Sequence, residues 1–198
     1  MNVPQIYLSF DDGPSDGCTE DVLKILDRNN AKATFFCIAN KAVLKPNMLL
    51  AIKRNGHSIG NHSLDHKYSS FYKNTASIKN WITNAEDLFH SILGHHTIGF
   101  RSPAGVVTPP LVNALTEMKM PLILWDLRFF DKCFSWKENS IKQSLKKVSP
   151  GSIVLLHDTH YGNRKKTFIK TLELFISHFQ QRGYRFESIP YNLTKQHQ

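Results

Sequence analysis

Short apolar runs alternate along the chain with longer stretches in which apolar residues recur every three or four positions. The short runs predict buried strands at Ile6–Phe10, Ala33–Ile38, His57–Gly60, Ile98–Arg101, Leu122–Trp125, Ser152–His157 and Tyr184–Glu187. The longer stretches predict helices at Thr19–Asn29, Pro46–Asn55, Ile78–Leu93, Pro109–Met118, Glu138–Lys147 and Thr167–Arg182. In the first helix Val22, Leu23, Ile25 and Leu26 make one apolar stripe; in the last, Phe168, Ile169, Leu172, Leu174, Phe175 and Phe179 do the same. Glycine and proline punctuate the joins, at Gly13-Pro14, Gly56, Gly94, Pro103, Pro121 and Pro150-Gly151. Strand–helix alternation predicts an α/β fold around a parallel sheet. An open doubly wound sheet and a closed barrel both satisfy the periodicity.

Length changes this picture little. The 198 residues suit a single domain, 1–198, with a core over about residues 6–187 and a polar tail after residue 190. The three cysteines, Cys18, Cys37 and Cys133, are widely spaced, so neither a disulfide framework nor a cysteine zinc site is indicated. Cys37 lies in an apolar run and reads as a small buried hydrophobe. SFDDGP is reached within nine residues, with no basic segment and apolar stretch before it. No run has transmembrane length, and the expected location is cytoplasmic; a chain trimmed of a leader reads the same way. The formal charge of +9 favours anionic partners, such as phosphorylated substrates, acidic glycans or a membrane surface. A generic solubilising surface explains that charge equally well. No nucleic-acid motif is present, and no nucleic-acid partner is expected.

The candidate chemistry collects at the expected carboxyl ends of strands, where α/β folds of both types place their active sites. Asp11 and Asp12 follow the first strand. His62 and His66 follow the third. Arg101 ends the fourth, Asp131 follows the fifth and His157 ends the sixth. Two imidazoles at i and i+4 share one face of a helix or helical turn, close enough to hold one ion. They lack an anionic ligand, and an aspartate at the end of a neighbouring strand would supply it. Three protein ligands with one open position make a catalytic metal site, so the chain reads as a metal-dependent hydrolase. Alone, either histidine reads as a surface residue and either aspartate as a turn residue ahead of Gly13-Pro14.

Four motifs in order resemble the NodB-homology polysaccharide deacetylases, carbohydrate esterase family 4. SFDDGP resembles the family's [ST]FDDGP, NHSLDH its H[ST]xxH, RSPAG its RxPxG, and LLHD its closing LxH; ATFFCIAN resembles its second strand. The resemblance spans roughly residues 6–187 and implies a distorted (β/α)7 barrel. Two positions depart from the pattern: Ala104 stands where tyrosine is usual, and Lys132 where tryptophan is usual. Both changes remove an aromatic from the substrate groove and make a small or lipid-linked sugar more plausible than a long glycan.

The resemblance implies a role for each residue. Asp12, His62 and His66 bind a divalent metal, Zn²⁺ first, with Co²⁺, Fe²⁺, Ni²⁺ or Mn²⁺ as substitutes. Asp11 is the general base and Arg101 orients it. His157 is the general acid and Asp131 tunes it, with Asp126 as the fallback. The backbone N–H of Ala104 holds the oxyanion. The implied reaction is hydrolysis of the acetamido group of an N-acetylated amino sugar, free, polymeric, lipid-linked or nucleotide-linked, with release of acetate. A deformylase or other amide hydrolase on the same fold is the alternative; a carbohydrate-binding module with a dead site is a third reading, against which all five central residues stand. Arg164, Lys165 and Lys166 follow His157 and are candidates for gripping a substrate phosphate or an anionic membrane surface.

Overall fold

The computed structural model describes residues 3–132, 141 and 147–190. The strands are β1 (Gln5–Asp11), β2 (Ala33–Cys37), β3 (Ser58–Asn61), β4 (Leu127–Arg128), β5 (Ile153–His157) and β6 (Arg185–Phe186). The helices are α1 (Cys18–Arg28), α2 (Ala39–Leu44), α3 (Pro46–Arg54), α4 (Thr75–Leu93), α5 (Pro109–Glu117) and α6 (Gly162–Gln180). The strands pair in parallel in the order β3-β2-β1-β5-β4, with β6 also on β1. Helices surround this sheet, giving a barrel-like α/β fold.

β1 is central, and all its residues after Gln5 are buried. A strand covered on both faces needs no polar alternation, which is why the run from Ile6 to Phe10 is nearly continuous apolar sequence. Ile6, Leu8 and Phe10 join the core beneath the helices, where Phe10 stacks on Phe35 at 5.1 Å. Tyr7, Ser9 and Asp11 point to the opposite face, by the period of two. There Tyr7 packs with Phe36, Ile123 and Ile189. The apolar stripes expected in the first and last helices face the core: Val22, Leu23, Ile25, Leu26, Phe168, Leu172, Phe175 and Phe179 are all buried. Asn74 caps α4 by accepting from Ser77 N at 2.9 Å, and Gly94 ends it at φ 76.

Strand register places the chemistry. Asp11 is the partner of Phe36 on β2 and of His157 on β5, while Cys37 is the partner of Asn61, just before His62. The ends of three strands therefore lie at one level.

Two expected strands shrink. Ile98–Arg101 and Leu122–Trp125 contribute only the bridges Asn61–Phe100 and Phe100–Leu122. Pro121 has no N–H for a ladder. A Cβ on Gly99 would lie 2.8 Å from the Pro121 carbonyl oxygen, so this close backbone approach requires glycine. α6 starts at Gly162, a turn before the expected Thr167, and places Arg164, Lys165 and Lys166 in its first turns instead of in a loop. α2 had no sequence expectation. The expected helix Glu138–Lys147, Cys133 and the tail after residue 190 lie wholly or largely outside the described residues. Among the described residues no helix is long and apolar enough to cross a membrane.

Gly60 couples fold to site. A Cβ there would stand 2.3 Å from the ring of Phe36, which is fully buried and carries the Arg101 guanidinium 3.8 Å above its centroid. Gly60→Ala is expected to destabilise by about 1–3 kcal/mol through overpacking, read as a lower denaturant midpoint at unchanged m.

Candidate metal centre and active site

A cavity of about 260 Å³ opens at the carboxyl ends of the strands and is lined by Asp11, Asp12, His62, His66 and His157. The backbone that presents them is unusual. Asp12, His66, Ala104 and Phe130 all line the cavity and all have positive φ, at 72, 60, 54 and 54. Each such position costs on the order of 1–3 kcal/mol and persists because the surrounding fold enforces it. Lys41 helps, with its Nζ donating to the Asp12 carbonyl at 2.9 Å.

His62 and His66 meet without a helix, contrary to the spacing argument. His62 directly follows β3, and positive φ at Ser63 and His66 turns the chain back. Asn61 anchors this turn. Its Oδ1 accepts from Ser63 N at 2.7 Å, and its Nδ2 donates to Glu86 of α4 at 2.8 Å. His66 N donates to Ser63 Oγ at 3.0 Å. Glu86, an acid on the buried face of α4, was the sequence signal for this anchor and went unread.

Asp12, His62 and His66 form a metal-binding triad, with one ligand atom from each lying within 4.8 Å of the others. The Asp12 Oδ1 stands 3.3 Å from His62 Nε2 and 3.2 Å from His66 Nε2. His62 Nδ1 lies 2.8 Å from the Arg101 carbonyl, which requires Nδ1 to carry the proton and leaves the Nε2 lone pair aimed at Asp12. Asp12 Oδ1 is buried and has no hydrogen-bond partner. A buried carboxylate oxygen facing imidazole lone pairs calls for a cation among them. Tetrahedral zinc with bonds of about 2.0–2.1 Å sets its ligand atoms about 3.3 Å apart, so these residues fit the ion. Burial works to raise the Asp12 carboxyl, but the nearness of His62 and His66, with a contact from Lys132 to Oδ2, holds it far below the usual carboxylate range.

Asp11 stands beside the triad. Its Oδ1 accepts from Arg101 Nη1 at 2.9 Å, and its Oδ2 lies 3.9 Å from His62 Nε2. Arg101 has no exposed surface and is no surface ion-pair residue. Its Nη1 also donates to Ser9 Oγ at 2.7 Å, its Nε to Ile123 O at 3.0 Å and its Nη2 to Leu124 O at 2.9 Å. A buried charge is tolerated when so fully bonded. Desolvation lowers the guanidinium's pKa, opposed by Asp11.

On the neighbouring strand His157 Nδ1 lies 2.9 Å from Asp131 Oδ1, and His157 N donates to Asp131 Oδ2 at 2.9 Å. Burial works to lower the His157 pKa, but the Asp131 hydrogen bond and charge outweigh it and raise it. Asp131 itself, pushed up by burial, is pulled down to about 2 by His157 and His160. Asp126 is elsewhere, accepting from Ile153 N at 2.8 Å at the sheet edge.

The groove keeps aromatic walls despite Ala104 and Lys132: Tyr68, Trp125 and Phe130 line the cavity. Arg128 and Lys132 bring cations to the same wall. The basic trio disperses. Lys165 pairs with Asp21 at 2.7 Å, Arg164 Nη1 donates to the Lys132 carbonyl at 3.2 Å, and none of Arg164, Lys165 and Lys166 lines the cavity. A larger cavity, about 730 Å³, opens at the other end of β1 beside Gln5, Tyr7 and Arg185, and holds no cluster of metal ligands.

A family model described as polysaccharide deacetylase matches residues 1–123. The peptidoglycan-N-acetylglucosamine deacetylase PgdA of Listeria monocytogenes is 31% identical over 189 residues, 93% of this chain, which spans 38% of that protein's length. A chitooligosaccharide deacetylase of Azorhizobium caulinodans is 30% identical over 201 residues, covering 96% of this chain and 95% of the relative. The solved structure of the Bc1960 peptidoglycan N-acetylglucosamine deacetylase superposes with a TM-score of 0.85 at 29% identity, over 96% of this chain and 87% of that one.

Proposed function

Because the chain belongs to the polysaccharide deacetylase family, we propose that it is a metal-dependent N-deacetylase acting on the acetamido group of an N-acetylated amino sugar. The observation that carries this reading is one cavity holding a His₂Asp triad, a second carboxylate fixed beside it by a buried arginine, and an Asp-backed histidine. Two imidazole nitrogens and one carboxylate oxygen suit Zn²⁺ best. We extend the bridged segments at Phe100 and Leu122 to the full (β/α)7 barrel of the family.

Asp12, His62 and His66 hold the cation. When bound, it supplies Lewis acidity that polarises the acetyl carbonyl and acidifies the attacking water. Asp11, steadied by Arg101, takes a proton from that water as its oxygen adds to the carbonyl carbon. The N–H of Ala104, on the cavity wall, donates to the oxyanion that develops. His157 keeps its Nδ1 proton on Asp131 and gives its Nε2 proton to the departing nitrogen. The C–N bond breaks, leaving acetate and a free amino sugar.

The test strips the protein of metal, restores Zn²⁺, Co²⁺, Fe²⁺, Ni²⁺ or Mn²⁺ singly, and assays chitooligosaccharides, peptidoglycan fragments and nucleotide- or lipid-linked acetamido sugars. Metal-dependent acetate release is expected; formate from formamido analogues alone would move the reading to a deformylase, and neither product would end it.

The raised pKa of His157 sets a pH limit. A general acid works while protonated, so kcat falls as pH rises through that raised value. Asp131→Asn removes the hydrogen bond and charge that raise it. The alkaline limb of the kcat profile is then expected to move to lower pH, with turnover at neutral pH falling ~10-fold. An unmoved limb would detach Asp131 from the acid.

A further inference from the structure

His160 has no part in the reading above, yet it is the third donor to the carboxylate that backs His157. It is 6% exposed, its ring lies 4.3 Å from that of Phe168, and its Nε2 is 2.9 Å from Asp131 Oδ2. Asp131, 2% exposed, thus receives His157 Nδ1 on one oxygen and both His157 N and His160 Nε2 on the other. We propose that His160 is a positioning and tuning residue that acts through Asp131. By sharing the carboxylate's charge, it limits how firmly His157 holds its proton. The inference rests on the reading of His157 as the general acid.

The physical argument is one of division. A lone ionised carboxylate against an imidazole raises the imidazole's pKa and makes the proton harder to release. A second N–H donor on the same carboxylate withdraws part of that charge, so the acid stays protonated near neutrality but gives its proton more readily. Because Asp131 is ionised, the His160 nitrogen facing it must carry a proton. The other charges facing His157 are Asp11 and Asp12 at the end of β1, and Asp158 next along its own strand. These are unchanged by substitution at position 160. The structure places His160 behind the acid, off the cavity wall.

His160→Phe keeps a ring against Phe168 and removes the donor; His160→Gln keeps an N–H donor. The test follows the His157 ring by pH-dependent ¹H–¹⁵N spectra of the full-length, metal-loaded chain, alongside kcat and KM profiles. In H160F, His157 is expected to titrate at higher pH than in the wild type. At neutral pH kcat should fall ~3-fold at unchanged KM, and H160Q should restore both. A His157 titration in H160F that is unchanged or lower overturns the proposal, even if the variant is less stable. Should H160F not fold, the wild-type spectrum decides: a His160 Nε2–H is required, and an unprotonated Nε2 overturns it. The spectra need no turnover, so absence of acetate release in the wild type would end the proposed function separately.

Discussion

Asp12→Asn and His62→Gln are each expected to lose the bound cation on dialysis and to lower acetate release by ~10³-fold or more. Among the described residues, Asp12 supplies the one anionic oxygen close to both His62 Nε2 and His66 Nε2, at 3.3 and 3.2 Å. An amide there leaves a dication with neutral donors alone. His62 is equally exposed to loss, because the Arg101 carbonyl at 2.8 Å fixes its ring with Nε2 toward Asp12, an arrangement a glutamine does not reproduce. Two measurements check this without turnover. Elemental analysis should find one equivalent of metal in the wild type and none in the variants. Added Zn²⁺ at a hundred times its Kd should raise wild-type stability by about 2.7 kcal/mol and leave the variants' unchanged. A variant that keeps its metal through dialysis would remove that residue from the ligand set.

The elements that sequence located well are those whose signal is local. β1, α1 and α6 carry continuous or 3.6-period apolar patterns, and their buried residues are the expected ones. The segments at Phe100 and Leu122 were over-read as full strands because apolar content says nothing about whether a neighbour offers matching N–H groups. Here Gly99 O and Pro121 O still accept from Asn61 N at 2.9 Å and Phe100 N at 2.8 Å, but the pairing stops at single bridges. α2, six residues long, has only two buried alanines and is too short to show a periodic stripe.

The site divides the same way. Asp11, Asp12, His62, His66 and His157 come together because β1, β3 and β5 end at one register level, and Arg101 and Asp131 join them through side-chain bonds to Asp11 and His157. The helical argument for His62 and His66 named the right pair through the wrong geometry: left-handed residues at Ser63 and His66, not a helical turn, bring the rings to 5.2 Å. The cavity aromatics Tyr68 and Phe130, the anchor Glu86 and the donor role of His160 are not legible in the sequence because each is defined by a tertiary contact. Arg101 shows the limit most clearly. Its guanidinium threads between Ser9, Asp11, Ile123 and Leu124, four positions spread over 116 residues of chain.

Asp11→Asn should separate chemistry from metal binding. The variant is expected to keep its cation, bind substrate with little change in KM, and lose kcat by ~10²- to 10⁴-fold, the usual contribution of a positioned general base. The geometry explains why no neighbour can replace it. Asp12 faces the two imidazoles, and His157, the register partner of Asp11 on β5, has its Nδ1 committed to Asp131. A second effect accompanies the first. Arg101 is fully buried, and Asp11 is its carboxylate partner. Neutralising Asp11 leaves an uncompensated guanidinium and is expected to cost about 3 kcal/mol or more in stability. Kinetics must therefore be taken well below the unfolding midpoint, on metal-loaded protein whose fraction folded is measured. If folded, metal-replete D11N retained a tenth or more of wild-type kcat, the proton would have another acceptor, and the first carboxylate of SFDDGP would be a structural counter-ion for Arg101 instead of a base.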